Sequence, residues 1–485
     1  MNSGSGKYEA VIGLEVHIQL ATDSKIFCAD GVAFGESPNT LISTISLAHP
    51  GTLPKVNKKA IELGIKMGLA LGSTISQTLY FDRKHYFYPD LPKGYQLTQD
   101  RTPVCIGGQV PIVTKSGLRR AIQLNRIHLE EDAGKLLHDQ HKDFSAVDYN
   151  RAGTALIEMV TEPVMRLPEE AYAFLIEIRK LVRFLGIGDG NMEEGSLRCD
   201  ANVSIREKGS SVLNPKVEIK NMNSFKHVQR AIETEIERQI TLVKAGQSVV
   251  SETRSYDAEK ETTFSLRSKE TLHDYRYFPD PDLSPVVVDE AWLNQIKNEM
   301  GELPQAMFNR FIEKYQLSEY DAGVITDDKD VALYFNEVVA HTKHYKAAAN
   351  WVIGPLKSQL RERMEKANAF PVQPITLAEL INLVEEGKVS YTMASQKIFP
   401  ELVLKPNQSP LELAQALNLL LENNVDALTP VIDEVIKIYP LKVEEYKQGK
   451  KGIVDMFMGE VMKRTKGKAD PKKANQLIIE KLKSL

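Results

Sequence analysis

Glu15 and His17 lie two residues apart in Tyr8–Leu20, where Ile12, Leu14, Val16, Ile18 and Leu20 alternate with Glu15, His17 and Gln19. On a strand, that alternation projects the carboxylate and the imidazole from one face. An oxygen and a nitrogen donor together suit a divalent cation, although two ligands do not complete a site. Glu158 sits among Leu156, Ile157, Met159 and Val160. An acid in such a run is rarely buried unless paired, and a cation is an economical partner. His128-Leu-Glu-Glu-Asp132 supplies further carboxylates. From Arg198 to Arg206 the chain alternates again: Cys199, Ala201, Val203 and Ile205 point one way, and Arg198, Asp200, Asn202, Ser204 and Arg206 the other. Such a strand is ordinarily just half-solvated. Here its polar face holds arginines with an aspartate and an asparagine, and Glu193-Glu194-Gly195 precedes it. These groups suit phosphates and a metal, so the strand reads as the floor of an active site.

Residues 81–99 pack five aromatics, three Lys or Arg and two prolines into a loop-like segment, and His273–Asp282 repeats the style. Surface loops do not normally carry so many aromatics, which predicts a lined pocket or an interface. Gly4-Ser-Gly6-Lys7 has no strand before it, and Gly186-Ile-Gly188-Asp-Gly190 follows a helix, so neither is a nucleotide loop. No serine cluster or activated cysteine provides a means of releasing ammonia from glutamine.

The elements that must position these groups are strand-rich at first. Strands are predicted near 109–114, 119–129 and 154–162, besides Tyr8–Leu20 and Arg198–Arg206, with Lys216–Lys220 as a partner of the last. Helices are predicted from Asn57 to Leu71, from Pro168 to Leu185 before Gly186, and from Ser224 to Lys244. Without a regular βαβ rhythm, the class is α+β with an antiparallel sheet. Beyond residue 295 the patterns are short and helical, and Lys405–Pro410 reads as a linker. At 485 residues the chain is too long for one core. Three domains are expected: 1–295, 296–405 and 406–485. No apolar run approaches a membrane span, nothing argues for export, and three widely spaced cysteines fit reduced thiols, so a cytoplasmic protein is expected. Residues 441–485 hold eleven lysines and one arginine against four glutamates and two aspartates, a net of +6. Because the whole chain carries −4, the remainder carries −10. A basic tail on an acidic body fits a nucleic-acid contact, and a solvated basic helix face fits the charge equally well.

Taken in order, Val11–Leu20, Phe81–Lys84 with Tyr86–Asp90, His128–Lys135, Met192–Asn202 and Asp274–Pro279 resemble the B subunits of the aspartyl/glutamyl-tRNA amidotransferases. The likeness covers the chain from about residue 8. It implies a catalytic cradle resembling glutamine synthetase, then a helical domain and a YqeY-like helical tail. It also implies the reaction. ATP phosphorylates the side-chain carboxylate of Glu misacylated onto tRNA(Gln), or of Asp on tRNA(Asn), and ammonia then displaces phosphate. The amidase (A) subunit of such a complex would supply the ammonia through a channel, and a small C subunit would brace the pair, which fits the missing glutaminase machinery.

By this resemblance Glu15, His17, Glu131 and Glu158 hold Mg2+, with Glu130 an alternative to Glu131. Lys84, Arg198 and Lys220 contact phosphates, Asp200 serves a second ion or the nucleotide, and Lys93 with Glu131 closes the channel mouth. Lys450, Lys451, Lys463, Arg464, Lys466 and Lys468 contact the tRNA backbone. Many relatives carry four cysteines near the N-terminus. This chain keeps Cys28 but has Asp30, Ser43 and Ser46 at the other positions, so no structural zinc is expected. Two other classes stand beside this reading: a stand-alone carboxylate–amine ligase acting on a small acid, and a noncatalytic RNA-binding scaffold. The basic tail disfavours the first, and the acids on the polar faces disfavour the second.

Overall fold

The computed structural model describes residues 6–138, 144–268, 275–421, 425–465 and 469–484. They form two compact units, Met1–Leu303 and Pro304–Leu485. The first is built on a ten-stranded sheet, and the second is helical. The chain is therefore α+β, with a sheet that is antiparallel apart from one pairing, Val217–Lys220 with Glu252–Asp257.

The centre of that sheet is Tyr8–Gln19, flanked by Leu197–Glu207 and Ala155–Thr161, with Arg119–Glu131 beyond the latter. Strict alternation along these strands separates two faces. Leu14, Val16, Ile18, Ile127, Leu129, Ile157, Met159, Ala201 and Val203 are buried in one hydrophobic core. Removing an aliphatic side chain of this size from water contributes about 1.5–3 kcal/mol. Helices Lys58–Ala70, Pro168–Phe184 and Phe225–Lys244 pack on the sheet or its extension. Each starts as its sequence predicts. Asn57 caps the first by accepting from Lys59 N, Pro168 opens the second, and Ser224 accepts from His227 N in the third. The other face is left to Glu15, His17, Glu158, Arg198 and Asp200, whose register is fixed by the pairs Glu15↔Asp200, His17↔Arg198 and His17↔Glu158.

A three-stranded sheet stands apart, in the order Arg276–Pro279, Asp82–His85, Tyr95–Thr98. It pairs parts of the two aromatic-rich segments with each other. His273 and Asp274 lie outside the described residues.

In the helical unit, Phe311, Phe335, Trp351 and Phe399 are buried, and Phe311 meets Phe335 edge to face at 4.9 Å. The helix Tyr345–Trp351 passes into a π turn at Val352–Leu356 that contains Pro355, whose missing N–H cannot continue a regular ladder. Helices Val425–Ile438, Ile453–Arg464 and Pro471–Ser484 close a separate core around Ile432, Val435, Phe457, Val461 and Ile478. No helix among the described residues is long and apolar enough to cross a membrane.

Candidate active site

The sheet's polar face brings His17, Glu130 and Glu158 together. His17 Nε2 lies 3.3 Å from Glu130 Oε1 and 3.4 Å from Glu158 Oε2. The ligand atoms of all three are within 4.8 Å of one another. One imidazole nitrogen and two carboxylates at that spacing fit Mg2+ or Mn2+. Behind them His128, paired with Glu158 in the ladder, puts its Nε2 3.3 Å from Glu158 Oε2 and 3.7 Å from Glu130 Oε2. Its Nδ1 is buried without a hydrogen-bond partner. Burial alone would lower the pKa of His17, but hydrogen bonds with Glu130 and Glu158 override it and raise it to about 10. Burial likewise opposes ionisation of Glu130, and the two imidazoles overcome it, holding the acid at about 2.

Glu15 does not join this group. It meets Asp200 and Glu218 in a second acidic cluster. Asn202 Nδ2 donates to Glu15 Oε1 at 2.9 Å, and Thr253 Oγ1 donates to Glu218 Oε2 at 2.9 Å. Burial, then the charge of Glu158, raises the pKa of Glu15. Lys220 donates to Asp200 and lies 3.1 Å from Glu218 Oε1. Burial would weaken its charge, yet Asp200 and Glu218 more than compensate and raise its pKa.

Arg198 places Nη2 2.9 Å from Asp132 Oδ2, while its Nε is buried without a hydrogen-bond partner. It lines a cleft of about 1060 Å³ with His17, Asp200, Lys220, Glu193 and Glu194. Lys84 comes from the separate three-stranded sheet. Burial lowers its pKa, but Glu130 and then Glu158 are among the charges that raise it overall. The residues singled out for metal and phosphate thus converge on one face from four strands and a second sheet, with one exception.

The exception is Glu131, which strand parity turns to the opposite face from Glu130. The structure therefore does not bring it to His17 and Glu158. It accepts from Lys93 Nζ and, at 2.8 Å, from Leu97 N. Lys93 and Glu131 line a small cavity of about 120 Å³ with Phe27, Cys28, Ser46, Tyr95 and Gly153. Asp30 lies against Ser46, Ser43 and Cys28. Burial raises the pKa of this acid, and those three groups with Lys25 bring it below its ordinary value. A carboxylate and two hydroxyls thus gather around the one thiol.

Two residues of the site escaped sequence reading as individual ligands. His128 was visible two positions before Glu130, and Glu218 two before Lys220. In the tail, Lys450, Lys451, Lys463 and Arg464 are exposed, with Lys450 Nζ 3.2 Å from Glu445 and Arg464 Nη1 2.6 Å from Glu434. Lys466 and Lys468 lie outside the described residues.

Residues 10–294 match the family model of the GatB/GatE catalytic domain, and residues 333–482 match that of the GatB domain. A protein of Trichlorobacter lovleyi is 47% identical over 476 residues, covering 98% of this chain and 99% of that relative. One of Thermodesulfovibrio yellowstonii is 45% identical, covering 98% and 100%. One of Paraburkholderia phytofirmans is 46% identical, covering 98% and 99%. All three are named as the B subunit of an aspartyl/glutamyl-tRNA(Asn/Gln) amidotransferase. A chain matched over nearly its whole length, with its acids and imidazoles gathered on one sheet face, belongs to the GatB/GatE family of amidotransferase B subunits.

Proposed function

We propose that the polar face of the sheet phosphorylates the side-chain carboxylate of Glu on tRNA(Gln), or Asp on tRNA(Asn), and then exchanges phosphate for ammonia. The observation that carries this is the convergence of His17, Glu130 and Glu158 beside a cleft that holds Arg198, with an unpartnered Nε, and Lys220. Glu15, Asp200 and Glu218 offer a second carboxylate set for a cation or for ATP. Bound Mg2+ would neutralise charge on the phosphates and polarise the transferred group.

The chain's own residues do the rest. Arg198 and Lys84 flank the place where a carboxylate and a γ-phosphate, both anionic, must approach, and they offset the charge that develops. The carboxylate oxygen attacks phosphorus, ADP leaves, and an acyl phosphate results. Ammonia attacks its carbonyl carbon, and phosphate departs. Lys220 is held by Asp200 and Glu218 at the cleft wall, in reach of a polyphosphate. Lys93 and Glu131 form an ion pair suited to gate ammonia from the amidase (A) subunit, with a small C subunit completing the assembly. The exposed lysines of 406–485 meet tRNA backbone, and 296–405 is the helical domain between. A broad antiparallel sheet with acids on one open face is what supports likening 1–295 to the glutamine synthetase cradle, and the reaction places the work in the cytoplasm with translation. The test is ATP-dependent conversion of Glu-tRNA to Gln-tRNA, with and without the amidase partner. No conversion with ammonium and Mg2+ present would refute the proposal.

A further inference from the structure

The acid cluster has two flanks of different chemistry. On one is the large cleft, lined by Arg198, Asp200, Lys220 and the 192–195 turn. The other is marked by Lys84, whose pKa Glu130 and Glu158 help to raise, and by a set of tyrosines, none of which lines the cleft. The ladder pairs Tyr277 with Lys84, so both side chains leave the same face of the small sheet. Tyr275 and Tyr86 share that parity, and Lys84 Nζ sits 4.8 Å from the Tyr275 ring centroid and 5.8 Å from that of Tyr86. Tyr86 and Tyr275 meet at 5.7 Å, and Tyr86 and Tyr88 at 6.2 Å. Yet the collar is not a closed core: Tyr275 is 42% exposed, Tyr277 40%, Tyr88 52% and Phe87 92%.

The loop that carries Phe87 and Tyr88 is braced. Gly134 N donates to Asp90 O at 2.8 Å, and Tyr149 Oη donates to Pro89 O at 2.7 Å. Held, exposed aromatic rings beside lysine are what unpaired nucleotides recognise, because every base has a face to stack and a phosphate to neutralise. Arg126 adds a second cation whose charge reaches Tyr277.

We propose that Tyr86, Tyr275 and Tyr277 form a stacking collar for the unpaired 3′-terminal nucleotides of the aminoacyl-tRNA. This rests on the reaction proposed above. The reacting carboxylate is covalently tethered to that terminus, so the terminal base must lie beside the acid cluster. The cleft, with Arg198 and Lys220, suits the polyphosphate of ATP. The two nucleotides then reach the acid cluster through different groups, and the aromatic side is left to the tRNA end.

The test uses the assembled amidotransferase with ammonium chloride as nitrogen source, and measures KM separately for Glu-tRNA and ATP. Tyr275→Ala and Tyr277→Ala each raise KM for Glu-tRNA on the order of tenfold and leave KM for ATP unchanged. Tyr275→Phe stays near wild type, because a ring and not a hydroxyl is required. A glutamyl ester of a short single-stranded terminus loses as much as full-length tRNA. A rise in KM for ATP would make the nucleotide cofactor the occupant and overturn the proposal. So would a Phe variant as weak as Ala, or no change in either KM. Wild-type protein that converts no Glu-tRNA would overturn the underlying reaction, and this site with it.

Discussion

Glu130 and Glu131 are consecutive residues of one strand whose carboxylates serve opposite faces of the sheet. Glu130 reaches His17 and His128 on the polar face, and Glu131 reaches Lys93 on the other. A one-residue step in a strand reverses the side chain, so the two adjacent acids meet different partners on different faces. An ammonia route ending at Lys93–Glu131 would thus arrive one residue from Glu130 and the proposed cation site.

Lys93→Ala separates the two nitrogen sources. Glutamine-dependent amidation by the complex falls strongly, while activity with added ammonium is kept. Parallel rates with glutamine and with ammonium chloride make the check. Equal loss of both would place Lys93 in the chemistry and not at a gate.

A cation held by His17, Glu130 and Glu158 is expected to displace a proton on binding. Without a cation, His17 has a folded-state pKa of about 10 against an ordinary 6.5. Its pairing with Glu130 and Glu158 is therefore fully stabilising below pH 6.5 and is lost as pH rises through about 10. Glu130, held at about 2 against 4.5, contributes above pH 4.5 and loses that contribution as pH falls through about 2. At about pH 7.5 the imidazole is protonated, and a bound cation requires it neutral, so Mg2+ binding liberates about one proton. Calorimetry in buffers of different ionisation enthalpy measures this. His17→Gln loses both the proton release and most of the affinity, and binding without proton release in wild type would remove His17 from the ligand set.

The tail acts through charge. The double variant Lys450→Ala/Lys451→Ala weakens tRNA binding and flattens the slope of log K against log salt by about 1–2, near one unit per lost phosphate contact. Filter binding over a salt series reads it out. An unchanged slope would return these lysines to a solvated helix face.

Much of the fold was legible because its strands obey period two. Tyr8–Gln19 and Leu197–Glu207 were marked by alternation alone, and Asn57, Pro168 and Ser224 announced three helices. What alternation cannot supply is where a strand's faces point when both carry an acid. His128 to Asp132 offers Glu130 to one face and Glu131 to the other, and only the pairing of Glu158 with His128 decides which reaches His17. Glu218 stayed hidden for a related reason: Val217–Lys220 is too short to advertise its polar face beyond the lysine. The parallel pairing of Val217–Lys220 with Glu252–Asp257 spans a whole helix and leaves no local mark. Nor did the Pro355 turn, which tertiary packing keeps within a helical run.

The central claim is that the face bearing His17, Glu130 and Glu158 performs the phosphorylation and transamidation. Ammonium-dependent conversion of Glu-tRNA to Gln-tRNA, measured for Glu130→Gln and Glu131→Gln side by side, tests it most directly. Glu130→Gln is expected to lose this activity by ~100-fold or more, as removal of a group that holds charge in the transition state does, while Glu131→Gln retains it and fails only with glutamine. Ammonium-dependent activity that survives in Glu130→Gln, or that is lost in Glu131→Gln instead, would contradict the claim.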